Sequence, residues 1–282
     1  DTAVFTNLTR DHLDYHGTME AYGASKKKLF TMPRLKRAVI NLDDAYGISL
    51  INDIASQVEI VTYSQSRAAA SVRAERVAMD SQGIAMHLVT PIGSGDVRVG
   101  LLGGFNLSNL LAVVATVVSY CTAEADSQDA SAFQGKLIFS QLAAALTRLK
   151  PVPGRMQIVA AASDISDVSV VVDYAHTPDA LKNVLETIIA LRPGKESIIT
   201  VMGCGGDRDK TKRPKMGYIA AALSDQVIFT SDNPRFENPQ TIIDEIEEGV
   251  SSDNRKKTLA IIDRKQAIKT AIRFAKKGDI VL

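Results

Sequence analysis

The sequence contains only two cysteines, and neither belongs to a pattern that binds metal or forms a disulfide framework. Cys121 lies in an apolar segment and Cys204 in a glycine-rich one. This sparse usage is typical of proteins from a reducing compartment. We therefore expect a cytosolic protein without structural disulfides.

The sequence also lacks an excess of either charge and lacks a long hydrophobic run. Its 33 Lys and Arg residues nearly balance its 32 Asp and Glu residues, so any anion site must be local and a nucleic-acid partner is not expected. The longest apolar run, residues 107–121, is interrupted by Ser, Asn and Thr and is too short to span a bilayer. No signal-type leader opens the chain, and membrane insertion is not expected. Because Asp1 and Leu282 both lie in strand-like segments, we expect each end to continue into a longer protein.

The pattern of the first half predicts an α/β domain that ends at the connector Pro151–Gly154, in a chain long enough for two domains. The segment 58–101 is rich in short β patterns separated by turns and is predicted to be an antiparallel insertion or flank. The other predicted elements are a strand at 2–8, a loop at 9–17, a helix at 19–30, a strand at 37–41, a helix at 44–55, a helix from an Asn106 cap to Cys121, a loop at 125–131 and a helix at 135–149.

The second half alternates between strand and helix patterns, which predicts a mostly parallel sheet wrapped by helices. The helix from Pro178 to Leu191 has the clearest start, because Thr177 is a good N-cap and proline is favoured at the first helical position. The other predicted helices cover 214–223, 241–250 and 265–276, and the predicted strands are VSVVVDYA, SIITVMG, QVIFTS, TLAIID and DIVL.

Polar residues follow three of the predicted strands, at the sheet edge where open parallel sheets bind ligands. They are Asp173, Tyr174 and His176 after the first strand, the turn from Gly203 to Lys210 after the second, and Ser231 to Arg235 after the third. The glycine-rich turn with Arg208, Lys210, Lys212 and Arg213 predicts a cradle for carboxylate or phosphate. Arg235 is suited to bidentate capture of a carboxylate. The alternative for either loop alone is a solvated basic loop or an ordinary turn.

The stretch from Thr6 to Phe30 concentrates residues that a plain core would not contain. His12 and His16 have the spacing of a zinc pair, but Gly17 weakens the helix they would need and no HExxH pattern is present. One histidine with acidic neighbours is better suited to a Mg²⁺ ion carried by phosphates. Residues 26–28 are three lysines, of which at most one or two can face inward. Asn109, three residues after Asn106, is unfavourable in a helix and suggests a ligand.

Together these stretches resemble the Mur ligase family of ATP-dependent, amino-acid-adding enzymes of peptidoglycan synthesis. The stretches that carry the resemblance span nearly the whole chain and are TNLTRDHLDYHG, the lysine of GASK, GGFNLSNLLA, VPGRM, VVDYAHTPDAL, GCGGDRDKTKRPKMG and SDNPRFENP. The resemblance implies a central ATP-binding domain over residues 1–150 and a Rossmann-like, amino-acid-binding domain over residues 151–282, each truncated at its outer end. It also implies that ATP phosphorylates a substrate carboxylate and that an amine then attacks the acyl phosphate.

The resemblance assigns roles to individual residues. It implies that Lys26 is carbamylated by CO₂ and holds Mg²⁺ together with His12. Asn106 and Asn109 match adenine-side residues, Arg155 a linker arginine near the nucleotide, Asp173 a ribose-binding carboxylate and His176 a residue facing the γ-phosphate. Arg208 and the turn Asp232-Asn233-Pro234-Arg235 match the pocket for the incoming amino acid.

Arg235 also indicates which amino acid is added. In this family the members that add meso-diaminopimelate have Arg at this position, whereas lysine-adding members do not, and a held guanidinium suits the second carboxylate that lysine lacks. We therefore expect meso-diaminopimelate to be added to UDP-N-acetylmuramoyl-L-alanyl-D-glutamate by a monomeric enzyme. The phosphate loop and UDP-binding domain would precede Asp1. Alternatives are a lysine-adding or folylpolyglutamate synthetase-like ligase and, in another class, a non-catalytic nucleotide-binding module.

Overall fold

The computed structural model describes residues 1–125, 132–159, 168–192 and 194–282. These residues form two compact units. The first unit contains residues 1–10 and 16–150, and the second contains residues 11–15 and 151–282. Apart from Ala125, the predicted loop at 125–131 lies outside the described residues.

The first unit contains a sheet whose strands pair in the order in which they occur in the chain. The strands are β1 (Thr2–Phe5), β2 (Arg37–Asn41), β3 (Glu59–Ser64), β4 (Val72–Asp80), β5 (Gly83–Thr90) and β6 (Gly93–Val99). Pairing is parallel from β1 to β4 and antiparallel from β4 to β6. The predicted antiparallel insertion is therefore right for β4–β6 and wrong for β3. The β2–β3 connection contains a helix, and such a crossover returns the chain parallel to the preceding strand.

Helices cover both faces of this sheet, and some of their predicted ends were wrong. The helices of this unit are α2 (Met19–Lys27), α3 (Ala45–Ile51), α4 (Gly104–Ala125) and α5 (Ala132–Leu146), and the one-turn helix α1 (Leu13–His16) has three of its four residues in the second unit. The predicted loop 9–17 thus contains one helical turn, α1, which ends before Gly17 at φ +76°. A 3₁₀ turn replaces the end of the predicted 19–30 helix. Asn106 is not the cap of α4, because Gly103 at φ +91° allows the helix to begin at Gly104, three residues earlier than a cap at Asn106 predicts.

Alternation along β2 divides the core of the first unit into two layers. Ala38 and Ile40 pack with Phe5 and Leu50 on one face, whereas Val39 packs on the α4 face. Among the described residues, α4 is the one helix long and apolar enough to cross a membrane, over Gly104–Cys121. Its inner side chains belong to the sheet core, so its apolar composition is accounted for by packing within this unit.

The second unit confirms the predicted α/β fold with a mostly parallel sheet. Its strands are β7 (Gln157–Val159), β8 (Ser169–Val172), β9 (Ile198–Met202), β10 (Gln226–Phe229), β11 (Thr258–Ala260) and β12 (Ile280–Val281). They lie in the order β11-β10-β9-β12-β8-β7, and β7 alone among these strands pairs antiparallel. The last strand of the chain therefore lies in the middle of the sheet, between β8 and β9.

Side-chain oxygens cap the first amides of α6, α8 and α9 in the second unit, whereas α7 has no side-chain cap. They are α6 (Pro178–Leu191), α7 (Arg213–Leu223), α8 (Pro239–Glu247) and α9 (Arg264–Phe274). The prediction for α6 is confirmed, and Thr177 Oγ1 accepts a hydrogen bond from Ala180 N at 3.2 Å. Helices α8 and α9 begin earlier than predicted because Asn238 and Asp263 cap them through their side-chain oxygens.

Candidate active site

The carboxyl ends of β8, β9 and β10 open into one cleft of about 620 Å³ in the second unit. Parallel strands place their following loops at the same edge, so the three loops meet there. The predicted site residues that line the cleft are His12, Asp173, His176, Arg208, Asp232, Asn233 and Arg235.

The carboxylate of Asp173 fixes the residues just after the connector against the end of β8. Its Oδ2 accepts a hydrogen bond from Met156 N at 2.8 Å, and its Oδ1 accepts one from Ala175 N at 2.8 Å. Met156 has φ +45°, a conformation that needs such support. Beside it, the Arg155 guanidinium carbon lies 4.6 Å from the centroid of the Tyr174 ring. The contacts of Asp173 and Arg155 thus join the two residues after the connector to the loop that follows β8.

The carboxylate of Asp11 lies close to two histidines at the cleft. Asp11 Oδ2 lies 3.4 Å from His12 Nε2 and 3.4 Å from His176 Nε2. His176 Nδ1 lies 3.1 Å from Tyr174 O, and His12 adopts φ +55° immediately before α1. The segment containing Asp11 also brings Asp14 Oδ2 to 3.8 Å from Arg208 Nη1, a half-exposed and therefore weak ion pair. Arg208 can exchange this partner for a ligand carboxylate at low cost.

Arg235 is held in a constrained turn after β10. Its φ is +50°, and its Nη1 donates a hydrogen bond to Gly206 O. In return Gly206 N donates to Asn233 O at 2.8 Å. A Cβ on Gly206 would lie 1.9 Å from Pro234 O, so only glycine allows the two loops to approach this closely. Because a guanidinium has five N–H donors, one bond orients the Arg235 fork without saturating it.

Arg213 was predicted to contribute positive charge to an anion cradle, and this prediction is wrong. The side chain is fully buried and donates hydrogen bonds to Glu237 at 2.8 and 3.0 Å and to Glu245 at 2.6 Å. The Arg213 guanidinium and the Lys210 ammonium hold the pKa of Glu237 well below its usual range. Lys210 Nζ lies 2.9 Å from Glu237, so its charge is also compensated within the fold.

Lys212 remains a cation of the cleft. Its side chain lines the cleft and is buried at 9% exposure. Behind it, burial raises the pKa of the Cys204 thiol to about 11, although Lys212 and Arg213 act in the opposite direction. Cys204 Sγ contacts Met216 Sδ at 3.7 Å, which is a core contact. A buried thiol with a raised pKa is a poor nucleophile, so Cys204 supports the loop by packing.

The asparagines of the first unit lie in the first two turns of α4. Asn106 Nδ2 donates to Leu102 O at 2.8 Å, whereas Asn109 is exposed. Nearby, burial raises the pKa of Tyr63, whose hydroxyl donates to Phe5 O at 3.3 Å. Asn106 therefore shapes the helix start through its side chain, and Asn109 presents an amide to solvent.

The lysines of α2 have different surroundings. Lys26 is partly buried, and its Nζ lies 4.8 Å from the centroid of the Tyr22 ring, which also stacks on His16 at 4.8 Å. Lys27 forms an ion pair with Asp53 at 2.7 Å. The stacking on Tyr22 gives His16 a packing contact within α2's surroundings.

The structure offers no protein-only metal centre within the ranges it describes. No group of three or more His, Cys, Asp and Glu side chains there could hold a metal ion. His12 precedes α1 and Gly17 ends it, so His12 and His16 do not share a helix face as a zinc pair would require.

Comparison with known proteins identifies the family. Residues 1–117 match the family model described as Mur ligase middle domain, and residues 154–282 match the one described as Mur ligase, glutamate ligase domain. Together the two matches account for most of the chain. The chain belongs to the Mur ligase family.

Similar Mur ligases include a protein of Chromobacterium violaceum named UDP-N-acetylmuramoyl-L-alanyl-D-glutamate--2,6-diaminopimelate ligase. It is 46% identical over 100% of this chain and 52% of its own length. A solved structure with the same enzyme name is 39% identical, with a TM-score of 0.57 over 100% of this chain and 54% of that one. The chain therefore spans about half the length of the curated relatives it matches. A folylpolyglutamate synthase of Mycobacterium tuberculosis, 16% identical with a TM-score of 0.73 over 99% of this chain and 60% of that one, shares the fold.

Two groups of this Mur ligase site were missed in the sequence. Arg264 lines the cleft, with Nη1 3.4 Å from Ser231 O. It follows β11. The rule that ligands bind beyond the carboxyl ends of parallel strands (the strand-end rule), which was applied to β8, β9 and β10, would therefore also have found it. Glu237 and Glu245, the partners of Arg213, lie 24 and 32 positions away in the chain. No local pattern signals such a distant pairing.

Proposed function

We propose that the full-length protein is an ATP-dependent ligase that adds meso-diaminopimelate to UDP-N-acetylmuramoyl-L-alanyl-D-glutamate through an acyl phosphate, in peptidoglycan synthesis. The observation that carries the proposal is the constrained Arg235 guanidinium at the edge of the cleft. The printed name of the 46% identical relative supports the same activity.

Arg235 provides the physical basis for amino-acid choice. Its bond to Gly206 O sets the direction of the guanidinium, and the remaining N–H groups can bind a carboxylate in the bidentate manner. Meso-diaminopimelate carries a carboxylate at its far end and lysine does not. Lysine binding would therefore leave the guanidinium without its anion, which is the basis of strong discrimination.

The other residues of the amino-acid side would orient the reacting amine. Arg208 can leave the weak contact with Asp14 and bind a carboxylate of the substrate. The carboxylate of Asp232 and the amide of Asn233, both lining the cleft, offer oxygen acceptors for ammonium N–H groups. Pro234 fixes the turn between them and Arg235. In this arrangement the amine attacks the acyl phosphate, the C–N bond forms, and the tetrahedral intermediate expels phosphate.

The nucleotide side is proposed to contain Asn106, Asn109, Arg155, Asp173 and His176. Each Asp173 oxygen accepts one backbone hydrogen bond, and a carboxylate oxygen has a second acceptor position that suits a ribose hydroxyl. His176 lines the cleft beside Asp11 and can donate to a phosphate oxygen. Asn109 offers an exposed amide for the adenine.

The metal roles of His12 and Lys26 are part of the same proposal. Mg²⁺ bound to ATP keeps several water and phosphate ligands, which suits a chain whose described residues contain no three-ligand cluster. When bound, Mg²⁺ supplies charge stabilisation for the transferring phosphoryl group. His12 would donate a nitrogen ligand, and Lys26 would contribute oxygen ligands as a carbamate. Density for a carboxylated Lys26 in a crystal structure would support this role, whereas full activity of a Lys26→Ala enzyme would contradict it.

Incorporation of radiolabelled amino acids by the full-length enzyme tests the proposal. Preferred incorporation of meso-diaminopimelate with ATP supports it, and preferred incorporation of lysine or glutamate would replace it by the lysine-adding or folylpolyglutamate alternative. Nucleotide binding without any ligation would favour the non-catalytic module. We also propose that the enzyme is a cytoplasmic monomer that binds no nucleic acid, as its small charged substrates and balanced composition suggest.

A further inference from the structure

A single carboxylate joins the two loops that carry the proposed amino-acid site. Glu237 ends the loop after β10, two residues beyond Arg235. Its Oε1 accepts a hydrogen bond from Asp207 N, in the loop after β9, at 2.6 Å and one from Arg213 Nη2 at 2.8 Å. Its Oε2 accepts a hydrogen bond from Arg213 Nη1 at 3.0 Å and lies 2.9 Å from Lys210 Nζ.

We propose that Glu237, paired with the buried Arg213, is a positioning residue for amino-acid selection. It fixes the loop after β9 against the loop after β10 and thereby sets the direction of the Arg235 guanidinium. The inference rests on the function proposed above, and it assigns a role to a residue that makes no contact with substrate in that proposal.

The bonds at the loop after β9 support this role because they involve three consecutive residues. Gly205 O accepts from Arg213 Nη2 at 3.2 Å, Gly206 O accepts from Arg235 Nη1, and Asp207 N donates to Glu237. The backbone that orients Arg235 is thus held on both sides by the Glu237–Arg213 pair. A movement at either neighbour would move Gly206 O and turn the guanidinium.

Backbone strain explains why the two loops need such support. Asp207 has φ +51° and Arg235 has φ +50°, and neither is glycine. The left-handed region is unfavourable for ordinary residues and persists where surrounding contacts impose it. Glu237 accepts a hydrogen bond from the amide of Asp207, and Arg235 lies two residues before Glu237 in the chain. Loss of the carboxylate would allow both turns to relax.

Glu245 provides a matched control within the same ion cluster. Its Oε2 accepts a hydrogen bond from Arg213 at 2.6 Å, and its Oε1 lies 3.9 Å from Lys210. Glu237 also accepts a hydrogen bond from a site-loop amide, whereas the contacts of Glu245 in this cluster are with Arg213 and Lys210. Glu237→Gln and Glu245→Gln therefore remove the same charge from the same cluster, and only the first weakens a loop contact directly.

The test compares kcat, KM and the unfolding temperature of both variants in the full-length enzyme. We expect Glu237→Gln to raise KM for meso-diaminopimelate about tenfold, to change kcat by less than about threefold, and to lower the preference over lysine about tenfold. Glu245→Gln should leave KM for meso-diaminopimelate and the preference over lysine within about twofold of wild type, even if its unfolding temperature falls as much as that of Glu237→Gln. Equal kinetic changes in the two variants, or none in Glu237→Gln, would overturn the proposal.

A second variant keeps the test decisive if Glu237→Gln does not fold. Arg213→Lys retains the buried charge but loses the fork that binds Glu237 and Gly205 together, so it should produce the same rise in KM. An unchanged KM in folded Arg213→Lys would overturn the proposal. A wild-type enzyme that prefers lysine would refute the proposed substrate but not the positioning role of Glu237. That role would still be tested, because the difference in KM between the Glu237 and Glu245 variants can be measured with whichever amino acid the enzyme uses.

Discussion

Replacement of Arg213 by methionine should destabilise the second unit by about 3 kcal/mol. Arg213 is fully buried and donates three charge-assisted bonds of 2.6–3.0 Å to Glu237 and Glu245. Removing one partner of a buried ion pair costs about 3–5 kcal/mol, chiefly because a charge is left unpaired. Here the two carboxylates keep 14% and 25% exposure, and Lys210 remains beside Glu237. Since water and Lys210 compensate part of the loss and methionine fills most of the space, the lower end of the range applies.

Hydrogen exchange followed by mass spectrometry across a urea series measures this loss locally. Peptides from α7 and α8 should lose protection at lower urea in Arg213→Met, whereas peptides from β2 and β3 should not change. Arg208→Met is the control, because its ion pair is half-exposed and is worth less than about 1 kcal/mol. A loss below about 1 kcal/mol in α7 and α8, or an equal loss in the control, would refute the argument for a stabilising buried cluster.

Three further outcomes follow from the same geometry. Because the folded pKa of Glu237 is lowered from its ordinary 4.5, its contribution to stability is present above pH 4.5 and is lost as the pH falls further. The unfolding midpoint should therefore fall less steeply with acid in Glu237→Gln than in wild type. Cys204, with its pKa near 11, should react with a thiol reagent at pH 8 at least about a hundredfold more slowly than the partly exposed Cys121, as peptide mapping can measure. Gly206→Ala should lower kcat/KM for the amino acid more than about tenfold, because its Cβ would lie 1.9 Å from a carbonyl oxygen of the neighbouring loop. Gly100→Ala, which has no atom within 4 Å of the new Cβ, is the matched control.

Local signals in the sequence predicted the elements they govern. The start of helix α6 at Pro178 was predicted because the cap and the proline act on neighbouring residues. The parallel sheet of the second unit was predicted from the alternation of strands and helices, because a helix between two strands returns the chain in the direction of the first strand. The predicted start of α4 was wrong by three residues because the side chain of Asn106 binds Leu102 O from inside the first turn.

Non-local partners could not be predicted in the same way. The position of β12 between β8 and β9 depends on the whole sheet, and its short apolar segment carries no information about strand order. Arg213 resembled its neighbours Lys210 and Lys212 in sequence, but two distant carboxylates determine that it is buried. The strand-end rule brought Asp173, Arg208 and Arg235 to one cleft, yet it could not distinguish a charge that faces the cleft from one that is neutralised behind it.

The preference for one amino acid tests the central claim most directly, since Arg235 is proposed to bind the second carboxylate of meso-diaminopimelate. The measurement is kcat/KM for meso-diaminopimelate and for lysine in wild-type and Arg235→Ala full-length enzymes. We expect wild type to prefer meso-diaminopimelate and the variant to lose about 2–4 kcal/mol of transition-state stabilisation for that substrate, or about 30-fold to 900-fold in kcat/KM, with little change for lysine. An unchanged kcat/KM for meso-diaminopimelate, or equal losses for both amino acids, would contradict the account.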